Sequence, residues 1–114
     1  IILSIKMSEV EATIERIKRL NGVEGYVICN QVGQVLRRFP TMSPDVADEY
    51  ATKMLSLTTQ ARGVIRDLSP KNDLKYLRVR SKKHEIMVAF DTQFVVIILQ
   101  RWSAADPSLI KFPN

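Results

Sequence analysis

The run Phe94-Val95-Val96-Ile97-Ile98-Leu99 constrains this chain more than any other stretch. Every position is apolar, so it does not read as a strand with one wet face. It reads as a central strand buried on both sides. Such a strand needs a layer of structure above it and another below. At six residues it is far too short to cross a bilayer, which takes about 20.

Two helical patterns can supply those layers. In Ser8-Glu9-Val10-Glu11 the spacing is that of a capping box, with Ser8 as the cap. Val10, Ile14, Ile17 and Leu20 follow at helical spacing, and Asn21-Gly22 stops the helix. The second helix opens at Ser43-Pro44, a capping serine followed by proline at the first helical position. Asp45 and Asp48 sit near the positive end of its dipole. No breaker follows until Gly63, and the pattern runs on to Leu68 before Ser69-Pro70. That is about 37 Å of helix. Its apolar stripe is Ala47, Tyr50, Met54, Leu57, Ala61, Val64 and Leu68, widened by Ala51, Leu55 and Ile65. The stripe reads as a core-facing one against a sheet, in preference to a coiled coil. The alternative is that a helix this long exceeds the sheet it covers, so that part of the face meets another subunit.

Five strands complete the pattern. Val23 to Cys29 and Gln34 to Phe39 flank the turn Asn30-Gln31-Val32-Gly33 and form a hairpin. Gly25 marks a point of close packing in the first strand. The second carries Arg37 and Arg38 and ends at Pro40, features suited to a sheet edge. Leu74 to Arg80, Glu85 to Phe90 and the apolar run follow in succession. The order helix, two strands, helix, three strands predicts an α+β fold with a five-stranded antiparallel sheet between helices.

At 114 residues the chain has the size of one domain. Its single cysteine excludes an internal disulfide, and no stretch resembles a signal peptide, which predicts a soluble protein in a reducing, intracellular setting. The chain opens on Ile1, which leaves the true start of the protein open. The formal charge of +5 is local: Lys71, Lys75, Arg78, Arg80, Lys82 and Lys83 face one acid, Asp73, within residues 71–83. Alternation puts Arg78, Arg80 and Lys82 on one side of a strand and Leu77 and Val79 on the other. Such a strip is a solvated face or a site for an anionic partner. With Tyr76 as its one aromatic, it lacks the stacking platform of a nucleic-acid binder.

The residues offer no catalytic constellation. The single histidine, His84, lies in a lysine-flanked turn, and Cys29 sits beside apolar strand residues as a small buried hydrophobe. Together they fall short of a zinc site. The glycines at 22, 25, 33 and 63 match no phosphate-binding loop. Ser108-Leu109-Ile110-Lys111 fits a serine–lysine motif but has no companions. A non-enzyme without cofactor or metal is expected.

The hairpin of the third and fourth strands is more specific. Asn72-Asp73-Leu74, then Leu77-Arg78-Val79-Arg80-Ser81-Lys82-Lys83, then Glu85-Ile86-Met87-Val88-Ala89 closely resembles the roadblock family of dynein light chains. The agreement extends to Val10-Glu11-Ala12-Thr13, Ile17, Gly22-Val23-Glu24-Gly25, Asn30, Gly33, Ala61-Arg62 and Val64-Ile65-Arg66-Asp67. It covers about residues 8 to 100. Phe90 stands where the family commonly has proline, and no proline follows the turn glycine around Gln34-Val35-Leu36.

The resemblance implies a homodimer, or a heterodimer with a paralogue, in which the long helix packs on its mate and the second strand joins the mate's edge. On that basis the dimer seam would involve Val35, Leu36, Arg37, Phe39, Tyr50, Met54, Leu57 and Ala61, and partner contacts Lys53, Leu55, Arg62 and Arg66. The implied partner is a segment of a dynein intermediate chain, in the cytoplasm on a microtubule-associated motor or in the axoneme. The alternative is a roadblock-fold platform for a small GTPase. Three regions are expected: an N-terminal extension (1–7), the domain (8–101) and a tail (102–114). The tail's Trp102, Leu109, Ile110 and Phe112 predict that it docks on the domain or on a partner.

Overall fold

A computed structural model describes residues 7–101; the expectations for the N-terminal extension and for the tail lie outside those residues. The elements are α1 (Met7–Lys18), β1 (Val23–Asn30), β2 (Val35–Arg38), α2 (Pro44–Leu68), β3 (Tyr76–Arg80), β4 (Glu85–Phe90) and β5 (Phe94–Gln100). The strands form one antiparallel sheet in the order β2-β1-β5-β4-β3. The apolar run is thus the central strand. Phe94, Val96 and Ile98 face the side covered by α1, where Val10, Ile14, Ile17, Tyr26 and Ile28 join them. Val95, Ile97 and Leu99 face α2, with Val27, Cys29, Ala47, Ala51, Met54 and Val88. Burial of one such aliphatic side chain contributes roughly 1.5–3 kcal/mol, so the doubly covered strand anchors both halves of the core.

Local chemistry explains the boundaries. Ser43 caps α2 through its side-chain oxygen, which accepts from the Val46 amide at 3.3 Å, with Pro44 following at the first helical position. Gly22 (φ 73°) and Gly33 (φ 93°) adopt left-handed backbone where the chain turns into β1 and out of the β1–β2 turn. At Gly25 an added Cβ would lie 3.0 Å from Met42 Cε, the close approach foreseen there.

Two expectations are corrected. Ser8 lies inside α1, which already begins at Met7, so it is not the cap of a capping box. Met7 packs on the α1-side core, and Glu11, instead of reaching back to Ser8, accepts from Arg37 Nε at 2.9 Å. The α2 stripe is the second. The buried positions are Ala47, Ala51, Met54 and Thr58, whereas Leu57, Val64 and Leu68 are 41%, 56% and 80% exposed. The helix is about 37 Å long, while a seven-residue strand such as β5 spans about 23 Å. Beyond Thr58 the core has no further α2 residue to bury, and a straight helix also drifts away from a strict heptad line.

Candidate protein–protein interface

The side of α2 turned toward β4 and β3 is open. Val46, Tyr50, Leu57, Ala61, Val64 and Leu68 recur at steps of three, four and seven, which places them about a quarter turn around the helix from the buried positions. Val46 is 42% exposed although apolar. Between this stripe and the sheet runs a groove of about 450 Å³, lined by Val46, Glu49, Tyr50, Lys53, Met54 and Ile86. Leu77, Val79 and Ile86 continue its floor, half-buried on the α2 side of β3 and β4. Burial raises the pKa of the Tyr50 phenol, with Glu49 and Glu24 adding to the effect. Its ring is therefore already partly withdrawn from water. An apolar stripe continuous with an apolar groove is the surface a partner would cover.

The residues assigned to the dimer seam fall into separate groups. Tyr50, Leu57 and Ala61 lie on the open stripe, but Met54 is buried against its own sheet. Val35 packs on the α2-side core, whereas Leu36 and Phe39 pack on the α1-side core. Phe39 meets Tyr26 edge-on at 5.5 Å between centroids. Arg37 is held by Glu11, and Arg38 donates from Nε to the Met42 carbonyl at 2.9 Å. β2 is an edge, as expected, but it lies at the opposite margin of the sheet from β3.

The residues assigned to partner contacts are also dispersed. Lys53 lines the groove. Leu55 lies on the far side of α2, its Cδ1 3.4 Å from the Cβ position at Gly33. Arg62 and Arg66 both donate to Asp73, which fastens the α2–β3 connection. Their hydrogen bonds, with that from the Leu74 amide, hold the Asp73 carboxyl well below the usual carboxylate range. The Arg62 guanidinium also lies 5.2 Å from the centre of the Phe90 ring.

Sequence reasoning missed Val46 and the floor of the groove at Leu77, Val79 and Ile86. For Val46 there was a signal: it sits at helical spacing before Tyr50 and Lys53. The floor could be found only from the sheet order.

His84 and Cys29 have structural surroundings. The Ser81 hydroxyl donates to the His84 carbonyl at 2.8 Å and accepts from the His84 amide, closing the β3–β4 turn. Cys29 is fully buried, and burial pushes its thiol up to about 11, away from the thiolate. Among the described residues no group of three or more His, Cys, Asp or Glu could hold a metal ion. No described helix is long and apolar enough to cross a membrane.

The layered α/β/α arrangement, with its open helix flank, is shared with known proteins. The Roadblock/LC7 domain family matches residues 9–101, and the chain belongs to that family. Solved structures share the fold at low identity. A Roadblock/LC7 domain from Streptomyces avermitilis is 17% identical with a TM-score of 0.69, covering 77% of this chain and 73% of that one. The gliding protein MglB from Thermus thermophilus is 12% identical with a TM-score of 0.68, covering 89% and 77%. Another MglB structure, described as having a tetrameric arrangement, is 13% identical with a TM-score of 0.67, covering 89% and 76%.

Proposed function

We propose that this protein is a non-catalytic dynein light chain, a dimeric scaffold subunit that binds an intermediate-chain segment and supports microtubule-based transport or ciliary motility. The observation that carries the scaffold reading is the unpartnered apolar stripe of α2 beside the Tyr50–Ile86 groove. A second copy fits that surface. A two-fold axis beside β3 brings α2 against its mate, and the Leu77, Val79 and Ile86 floor against its counterpart. This seam uses Tyr50, Leu57 and Ala61 as the sequence suggests, and β3 instead of β2. The resemblance of the Arg80 to Ala89 block to dynein light chains supports the dynein branch.

Sedimentation of the purified chain and capture of intermediate-chain segments test the reading together. Dimer mass with specific capture supports it. A monomer, or a dimer that captures no intermediate chain, counts against it.

A second reading keeps the dimer and makes it a platform for a small GTPase. It is supported by the breadth of the fold, which spans proteins as different as MglB at 12% identity. A broad face of paired helices can seat a globular partner as readily as a peptide. Capture of a nucleotide-loaded GTPase in place of intermediate chain would favour it.

A further inference from the structure

The turn between α1 and β1 is tied to the end of β5 through two carbonyl groups. The Asn21 carbonyl accepts from Gln100 Nε2 at 2.8 Å, and the Gly22 carbonyl accepts from the Arg101 amide at 2.7 Å. The other polar groups of the same two residues are left open. Asn21 is exposed. Neither its side-chain amide nor the Gly22 backbone N–H has a hydrogen-bond partner among the described residues. The asparagines at 30 and 72 are held instead. Asn30 Oδ1 accepts from the Val32 and Gln34 amides at 3.1 and 2.9 Å, and its Nδ2 donates to Gln34 Oε1 at 2.7 Å. Asn72 Oδ1 accepts from the Asp73 amide at 2.9 Å.

From this we infer that Asn21–Gly22 is a site of spontaneous deamidation, and that the change loosens the tie between the α1–β1 turn and β5 as the protein ages. The inference is independent of the scaffold reading. The Gly22 nitrogen bonds to Asn21 Cγ, and its proton goes to the side-chain nitrogen, which leaves as ammonia. A cyclic imide remains. Water then opens the imide at one of its two carbonyls. Breaking the bond from Cγ to the Gly22 nitrogen gives ordinary aspartate. Breaking the bond from the main-chain carbonyl carbon to that nitrogen gives isoaspartate, with the main chain rerouted through Cβ. Water is the only co-reactant. A Cβ on the following residue would obstruct the attacking nitrogen, and glycine has none. The fold itself calls for that glycine, because φ at this turn is 73°. The pair that ends the helix is therefore also the reactive pair. Both products place a carboxylate just past the C-terminal, negative end of α1. Isoaspartate also converts the carbonyl held by Gln100 into a free carboxylate and lengthens the main chain ahead of Gly22, which shifts the acceptor held by Arg101.

The test is storage of the folded chain in warm neutral buffer, followed by digestion with a glutamate-specific protease and mass spectrometry. Cleavage after Glu15, Glu24, Glu49 and Glu85 yields fragments 16–24, 25–49 and 50–85, each with a single asparagine. Fragment 16–24 should gain the mass of an amide-to-acid exchange and accept label from an isoaspartate methyltransferase, while the other two keep their amides. Asn21→Gln, which would have to close a larger ring, should lose both signals. A parallel incubation in urea separates the fold from the sequence. Conversion of fragment 16–24 in urea but not in the folded chain overturns the inference, as does equally fast conversion of either other fragment. Hydrogen exchange at the Arg101 amide should be faster in the isoaspartate-bearing chain than in fresh chain. Fresh Asn21→Asp, with the new charge on an unaltered main chain, should keep the Arg101 amide protected. Equal protection in the isoaspartate-bearing and fresh chains would overturn the loosening.

Discussion

Arg62 donates to Asp73 along both prongs of its guanidinium, from Nε to Oδ1 at 2.8 Å and from Nη2 to Oδ2 at 3.0 Å. Arg66, one turn on, adds a third contact at 3.2 Å. The last turns of α2, past the end of the core, are thereby tied to the connection that leads into β3. Asp73 therefore sets how the overhanging helix sits beside the proposed seam.

Asp73→Asn should loosen that tie, and the change should depend on pH. The Asp73 pKa is depressed in the folded chain, mainly by the hydrogen bond from Arg62. A depressed carboxylate favours folding above the unfolded-state pKa, about 3.9, and loses that contribution as pH falls toward the folded value. The wild-type and Asp73→Asn unfolding midpoints should differ near neutrality and converge in acid. Because the pair is partly exposed, the difference should be modest and should shrink with salt. Hydrogen exchange at Ile65 to Leu68 should rise in the variant at pH 7. Parallel midpoints at every pH would deny the tie any role.

A charge on the open stripe should behave differently from one in the core. Leu57 is 41% exposed within the protomer, so Leu57→Asp should fold and sediment as monomer. Met54→Asp places a carboxylate at a position only 7% exposed, against Val95 and Ile97 among others. An unpaired buried charge costs several kcal/mol, so this variant should unfold or aggregate. Sedimentation together with circular dichroism separates the outcomes. Dimeric Leu57→Asp would remove the α2 stripe from the seam.

How legible the molecule was in its sequence depended on the range of the interactions involved. The non-alternating strand, the Ser43-Pro44 cap and the hairpin turns are local signals, and they located β5, α2 and the turns to within about two residues. The buried face of α2 was half legible. Ala47 and Met54 were on the expected line, but Thr58 is buried because its hydroxyl donates to the Met54 carbonyl of its own helix. A polar residue satisfied in this way does not stand out in a hydrophobic pattern. Val64 and Leu68 fit the periodicity yet lie past Thr58, the last buried position of α2, and Leu57 sits one residue before it, on the open flank of the helix. Periodicity tells neither where the sheet ends nor how the helix is rotated on it. The surroundings of the residues expected at a seam were the least legible. Which strands lie at the sheet's edges needs the strand order, and the contacts that occupy Arg37 and Arg62 join different elements.

The glycines offer a graded test of backbone constraint. At Gly22, Gly22→Ala combines φ of 73° with a Cβ 3.1 Å from the Arg101 carbonyl oxygen, a backbone atom that cannot swing aside. It should cost about 1–3 kcal/mol. At Gly25 the neighbour is the tip of Met42, 3.0 Å away and flexible, so Gly25→Ala should cost less. At Gly63, inside α2, an added Cβ meets nothing within 4 Å. Gly63→Ala should stabilise the chain by about 0.5–1 kcal/mol through helix propensity and a less flexible unfolded state. Urea midpoints should therefore rank Gly63→Ala above wild type, then Gly25→Ala, then Gly22→Ala. If Gly63→Ala instead lowered the midpoint at a concentration where the chain is dimeric, the small residue would be needed at a contact outside the protomer. The α2 seam would then extend onto that turn, which a repeat at monomeric concentration would establish by reversing the sign.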